Sequence, residues 1–444
     1  MWFRRDLRLG DHPALAAAAA EGLEVVPLFV DDPAFVAAGA PRRAFLHDCL
    51  RSLDRELRER AGTGLVLRRG DPTSVVPAVA AEVGADTVLV SRDHGPYGRR
   101  RDAAVSEALA TSDRTLRGIG SPYAVTPGAV LKPDGSPYVV FAPFSRRWRE
   151  IGWAAPVPEP DVRWAGSGPQ GVAGDPWPER PDPGCELPPA GERAALESWT
   201  RFLTSGSAAD GSGRAAVDAY GDLRDRPGLA ATSRMSPHLK WGTVHPRTLL
   251  ADLDPSGAGP RGHTKYSSEL AWREFYADVL FRRPESAWWY LDRRMDAMPI
   301  DTDAAARERF RRWCAGRTGF GMVDAGMAEL AATGWMHNRA RMVVASFLVK
   351  DLHLPWQWGA RHFLEHLVDG DLASNNHGWQ WTAGTGTDAA PYFRIFNPAT
   401  QRERYDPDGE YVARWVRDPA PPMLDHAAER DEALRRLAGL KTGR

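Results

Sequence analysis

Four segments bring together side chains whose types and spacing can do chemistry. In Thr232-Ser233-Arg234-Met235-Ser236-Pro237, three hydroxyls stand at a helix start, with Ser236 as N-cap and Pro237 as first helical residue. Such a start offers unpaired N–H groups and the positive end of a helix dipole, which suit a pyrophosphate, although capped starts without any ligand are common. In Glu269-Leu270-Ala271-Trp272-Arg273-Glu274-Phe275-Tyr276, Glu269, Trp272 and Arg273 fall at i, i+3 and i+4 on one helical face. A carboxylate, an indole and a guanidinium side by side suit a planar ligand with a phosphate nearby. The same spacing also makes a surface salt bridge beside a half-buried Trp.

In Trp335-Met336-His337-Asn338-Arg339-Ala340-Arg341-Met342, Asn338 and Met342 share a face with Arg341 beside them, the pattern of a polar site or of a capped helix with a buried Met. The fourth segment, Asp369 to Trp381, is polar and Gly-containing yet carries Trp379 and Trp381. It runs on through Thr385-Gly386-Thr387-Asp388 towards Pro398. So many amides, carboxylates and indoles together read as a structured binding loop.

The elements that must position these segments fall into two textures. Residues 1–140 alternate Val- and Leu-rich runs (Leu23–Val30, Leu65–Leu67, Thr87–Val90) with helical patterns near Arg42–Arg60, Pro72–Val83 and Tyr97–Leu109. That alternation predicts a doubly wound α/β domain with a parallel sheet. Residues 141–191 read as a Pro/Gly-rich linker, with ten prolines between Pro156 and Pro189. Residues 192–444 read as an all-helical domain, with helical spacing over Leu196–Leu203, Ser236–Trp241, Ser267–Leu280, Arg307–Trp313, Gly321–Ala332, Asn338–Leu348 and Trp356–Leu367. All four chemistry-bearing segments belong to this domain.

Composition excludes several classes. The chain has 444 residues, 57 basic against 58 acidic side chains and a net charge of −1, so it is neither a disordered acidic tail nor a globally basic nucleic-acid binder. Residues 261–361 hold 16 Lys/Arg against 12 Asp/Glu, a small local excess. No apolar leader or membrane-length run is visible, and Cys49, Cys185 and Cys314 form neither a disulfide framework nor a metal-ligand set. A cytoplasmic protein is expected, with no metal and no membrane contact. No G-x-G-x-x-G follows a strand, which argues against a dehydrogenase-type dinucleotide site. Tryptophan is in excess: 17, against 15 Phe and 10 Tyr. Some of these rings are expected to stack on a flat ligand or to carry electrons.

Trp2-Phe3-Arg4-Arg5-Asp6-Leu7-Arg8 and the four segments above, in this order from Trp2 to about Asp425, resemble the DNA photolyase/cryptochrome family. The resemblance implies an N-terminal antenna domain, a helical domain that binds FAD, and light-driven repair of pyrimidine dimers in DNA. By position, Tyr220, Thr232, Ser233, Met235, Ser236 and Glu269 correspond to FAD contacts. Asp369 and Asp371 correspond to the acidic residues beside the ribose and the isoalloxazine edge. Arg341 would pair with Asp369. Asn375 would face the flavin nitrogen protonated on reduction, where an amide supports the reduced cofactor.

On the substrate side the resemblance makes Trp272 and Trp381 the indoles that stack on a flipped dimer, with Glu269, Asn338 and Met342 contacting its bases. Arg224, Arg273, Arg339 and Arg394 correspond to positions near the DNA backbone. Relatives that repair (6-4) photoproducts carry two His where Asn338 and Met342 stand, so cyclobutane dimers are expected. A cryptochrome-type sensor is the alternative, but plant sensors usually carry Asp, and insect or animal ones Cys, at the Asn375 position. Trp379 and Trp356 match the inner and middle members of an electron-transfer chain. The outer member should lie within Asp292–Thr302, which holds no Trp; Trp288, Trp289, Trp313 and Trp358 are the candidates to replace it.

Three further expectations follow. Met1 leaves the first strand short against relatives, and His377, where many relatives have Gly, reads as structural. Folate-binding relatives carry Asn-Glu where Tyr97 and Gly98 stand, so a deazaflavin antenna is favoured over folate, with no antenna as the alternative. A monomer is expected.

Overall fold

Val- and Leu-rich runs become parallel strands here because both of their faces are covered. A computed structural model describes residues 1–165, 172–205, 213–253, 261–388 and 393–442. The strands among the described residues are β1 (Trp2–Phe3), β2 (Glu24–Val25), β3 (Leu28–Asp31), β4 (Val66–Arg69), β5 (Thr87–Val90), β6 (Thr115–Gly118) and β7 (Arg163–Trp164). They form a parallel sheet of order β1-β3-β4 and two parallel pairs, β2-β7 and β5-β6, with β5 lying beside β1. Successive side chains alternate between two cores, as the pleat requires. Phe3, Phe29, Leu67 and Leu89 enter one core, while Trp2, Leu28, Val66, Val88 and Val90 enter the other.

The run Leu23–Val30 is not one strand. Pro27 lacks an N–H for the ladder and divides it into β2 and β3, which join different sheets.

The helices Ala40–Ala61, Pro72–Glu82 and Pro96–Ala110 lie where the sequence pattern places them. Beyond β6 the stretch read as linker contains a helix, Phe141–Ile151. Its buried Phe144 and Trp148 pack in the same core as Phe275, and Gly152 stops it with φ of 68°. This helix therefore belongs to the helical layer rather than to a spacer.

A buried carboxylate ties that layer to the chain leaving the sheet. Glu274, on the helix Arg261–Arg282, accepts from the backbone N–H groups of Ala124 and Val125 and from Trp148 Nε1 at 2.6 Å. Burial raises its pKa from the ordinary carboxyl value.

Among the described residues no helix is long and apolar enough to cross a membrane.

Candidate active site

The segment 232–236 is held from two sides. Ser233 Oγ lies 2.7 Å from the hydroxyl of Tyr266, whose ring is 5.1 Å from that of Tyr220. On the other side Trp335 Nε1 donates to Ser236 Oγ at 3.3 Å, and the Arg234 guanidinium sits 4.5 Å from the centre of the Trp335 ring. Arg234 has φ of 52°, a left-handed conformation that a residue with a Cβ keeps only where its surroundings hold it. The helix Ser236–Trp241 begins one residue earlier than expected. Met235 is the N-cap and Ser236 is already helical, because its hydroxyl is engaged by Trp335 rather than turned back onto the helix. No side chain caps this helix start, so its N–H groups remain open.

The fourth segment is a helix, Leu372–Ala383, and not the binding loop expected from its composition. Asp371 caps it, accepting from the N–H groups of Ala373 and Ser374 at 3.1 and 3.2 Å. Ser, Asn and Gly are poor helix formers, but packing against the helices Arg261–Arg282, Asn338–Ser346 and Trp356–His366 overrides that preference. Gly359 on the last of these meets the six-membered ring of Trp379, and any Cβ there would collide with it.

Arg341 Nη2 donates to Asp369 Oδ2 at 2.9 Å, joining the third and fourth segments. The other carboxylate oxygen, Asp369 Oδ1, is buried and lacks a partner among the described residues. Asn375 gives its amide N–H groups to Ala360 O at 3.0 Å and Asn376 Oδ1 at 2.8 Å, which leaves its own Oδ1 as an acceptor. The indole N–H groups of Trp379 and Trp381 are likewise buried without partners. Buried polar atoms are normally satisfied, so each of these open atoms is one that a polar ligand would complete. These residues fit FAD.

Asn338 and Met342 share a face, with Asn338 Nδ2 at 3.9 Å from Met342 Sδ. Glu269 is bonded to Arg224 Nη1, and Arg224 lies over the Tyr220 ring. Arg339 pairs with Asp225 at 2.9 Å and covers Tyr405, so Asp225 links it to Arg224, 3.8 Å away on the other side. Trp272 stacks on Phe141 with ring centres 3.7 Å apart and also meets Phe275 and Tyr276, and Arg394 sits 4.8 Å over Trp381.

Two of the expected site residues already have long-range protein partners. Arg273 donates to the carbonyls of Pro122 and Leu239, both at 3.1 Å, and lies over Tyr123, so it ties the two layers together. Asp371 caps its helix and is bonded to Arg5 at 2.8 Å and Lys240 at 3.4 Å, which directs its carboxylate towards the α/β layer. These cations hold the Asp371 pKa well below the carboxylate range, whereas burial lowers Lys240 to about 7. Arg5 takes the shorter bond, leaving Lys240 the more weakly held cation.

Asp371, Arg5 and Lys240 also line a cavity of about 280 Å³ between the strands and the helix Leu372–Ala383, together with Trp2, His94 and Tyr97. Tyr97 donates to Asp32 at its edge.

Around Trp379 the aromatic rings branch. Phe363 lies 5.0 Å and Trp313 6.2 Å from Trp379. Phe310 stacks on Trp313 at 5.6 Å and meets Trp358 at 5.3 Å. Trp356 is fully buried with Tyr290 6.5 Å away, and Trp288 and Trp289 are exposed. His377 is buried, with Nδ1 donating to Ala373 O and its pKa lowered to about 4 by burial, so it is neutral. Sequence reasoning passed over Arg234 and Tyr266. A positive φ cannot be read from composition, and Tyr266 lies outside the motif that begins at Glu269.

Residues 1–161 match the family model described as DNA photolyase, and residues 266–420 match the FAD-binding domain of DNA photolyase. A deoxyribodipyrimidine photo-lyase of Streptomyces griseus is 42% identical over 422 residues, 93% of this chain and 88% of the relative. One from Thermus thermophilus is 40% identical over 443 residues, 99% of this chain and 97% of the relative. Among solved structures, a bacterial class III photolyase from Agrobacterium tumefaciens superposes with a TM-score of 0.88 at 32% identity, over 99% of this chain and 97% of that one. A Synechocystis cryptochrome superposes with a TM-score of 0.85 at 25% identity, over 98% of each chain. With its parallel-sheet N-terminal domain and its helical FAD-binding domain, this chain belongs to the DNA photolyase family.

Proposed function

We propose that this chain is a light-driven lyase that splits cyclobutane pyrimidine dimers in DNA. The observation that carries the reading is a pair of oxygens left open among the described residues, the buried Asp369 Oδ1 just before the helix Leu372–Ala383 and the Asn375 amide oxygen on that helix, which also bears Trp379 and Trp381. Reduced FAD, when bound and excited by light, supplies the electron that opens the dimer.

The protein's part is to hold and exclude. The open N–H groups at Ser236 and the hydroxyls of Thr232 and Ser233 receive the pyrophosphate, with Tyr220 and Met235 packed behind them. Asp369, oriented by Arg341, accepts from a donor on the cofactor through its free oxygen. Asn375 Oδ1, left as an acceptor, would hold an N–H of the reduced cofactor. Trp272, backed by Phe141, and Trp381, backed by Arg394, would stack on a flipped-out base. Asn338 and Met342 present an amide and a thioether, neither of which supplies the acid chemistry that a (6-4) lesion needs. Arg224, Arg339 and Arg394 form the local basic rim for DNA phosphates, while Arg273 ties the two layers together.

Electrons to reduce the cofactor reach Trp379 through Trp356 and Tyr290, or through Trp313 and the Phe310–Trp358 pair. A deazaflavin-type antenna in the cavity beside Tyr97 completes the reading, and absorbance of chromophore released from purified protein identifies it. The enzyme works as a cytoplasmic monomer.

The test uses reduced protein with single-stranded DNA containing cyclobutane dimers under near-UV light. Recovery of pyrimidine absorbance is expected. Stably bound FAD with no recovery would overturn repair in favour of a signalling role.

A further inference from the structure

The helix Trp356–His366 buries Trp356, Ala360 and Phe363 on one side and carries His362, Glu365 and His366 on the other. That spacing, i, i+3 and i+4, places three ligand-type side chains on a single turn. One nitrogen from each imidazole and one carboxylate oxygen lie within 4.8 Å of one another. The two imidazoles are 4.1 Å apart at their centres, inclined by 33°. His366 Nδ1 is 2.8 Å from the carbonyl of His362. A carbonyl only accepts, so Nδ1 carries the proton and the Nε2 lone pair is free, the tautomer in which a second hydrogen bond orients a ligating imidazole. The Glu365 carboxylate makes no ion pair, and the His362 ring no hydrogen bond, among the described residues.

We propose that His362, Glu365 and His366 form a binding site for a divalent transition ion, with Zn(II) as its first candidate. Two neutral imidazoles and one carboxylate are the ligand set of zinc, nickel and copper rather than of magnesium or calcium, which take oxygen ligands. Water completes the coordination sphere on the exposed side. The buried face of the helix, wedged by Gly359 against Trp379, keeps the ligand turn rigid, so little ordering opposes binding.

The site also has a neighbour of consequence. His362 lies 5.5 Å from Trp313, the ring that branches from Trp379. A dication held there raises the cost of placing positive charge on Trp313 and favours the Trp356 branch. This consequence rests on the electron route proposed above; the metal site itself does not.

The experiment is calorimetric titration of the full, untagged, FAD-loaded chain with zinc chloride. One equivalent binding in the micromolar range is expected, with His366→Gln and Glu365→Gln each weakening it at least about tenfold, or about 1.4 kcal/mol. A His362→Gln/His366→Gln double variant should take up no stoichiometric zinc while keeping the wild-type melting temperature and flavin spectrum. Absence of saturable binding to the wild type, or undiminished binding to a folded double variant, would overturn the proposal. If zinc binds as expected yet leaves the rate of flavin photoreduction unchanged in the wild type, the site stands and its link to Trp313 falls.

Discussion

Asp371 stands between Asp369 and Asn375 in sequence and lines the cavity beside Lys240, yet the two regions treat charge differently. In the first, buried groups are left open: Asp369 Oδ1 and the indole N–H groups of Trp379 and Trp381 have no partner among the described residues. In the second, charge is closed within the protein, with Arg5, Lys240 and Asp371 bonded together and Tyr97 bonded to Asp32. An open buried polar atom carries a standing cost that a bound ligand relieves, whereas a closed network is stable without one. The first region is therefore built to be completed by a cofactor. The second joins two layers and leaves room for a chromophore without depending on it.

Substitutions should separate the two regions. The largest effect is expected from Trp379→Phe, which abolishes photoreduction of oxidised flavin yet leaves repair by pre-reduced enzyme intact. Normal photoreduction in that variant would remove Trp379 from the electron path and blur the contrast. Asp369→Ala strips Arg341 of its partner, and FAD affinity should fall by about 2–5 kcal/mol, read as loss of flavin on gel filtration. Retention of flavin at wild-type occupancy would show that the open oxygen is not a cofactor contact.

Glu269→Ala should lower dimer repair several-fold without loss of FAD, since Glu269 is tied to Arg224 on the rim. Loss of FAD would instead move Glu269 into the cofactor set. The smallest effect on repair is expected from Lys240→Met in the closed region, where the change is in pH dependence. Burial holds folded Lys240 near 7 against an unfolded value of 10.5, so between these pH values the unfolded chain binds more protons. Stability therefore rises with pH across that window, by up to about 1.4 kcal/mol per pH unit for this one group. The variant should lack this increment in denaturant titrations at pH 7 and pH 10, while repair is unchanged.

Much of the helical domain is legible as pattern. The helices Arg261–Arg282 and Asn338–Ser346 follow from apolar spacing, and the pairing of Arg341 with Asp369 and the shared face of Asn338 and Met342 lie where the motifs put them. Several helices escape that reading, two of them for contrasting reasons. Phe141–Ile151 is short, contains Pro143 and adjoins a Pro-rich stretch, so its buried face of Phe144 and Trp148 is masked by its surroundings. Leu372–Ala383 has the composition of a loop and is helical because an N-cap and three neighbouring helices outweigh its weak propensity.

Residue types and their order alone determine the family, the two-layer organisation and the set of side chains able to meet a flavin, because these depend on local chemistry and period. The tertiary structure decides which of those side chains are free. Arg273 and Asp371 carry the expected chemistry, but long-range partners at Pro122, Leu239, Arg5 and Lys240 consume it. Asp369 and Asn375 stay available because no such partner reaches their remaining oxygens. Hydrogen-bond capacity is finite, and how it is spent depends on contacts that sequence spacing does not encode.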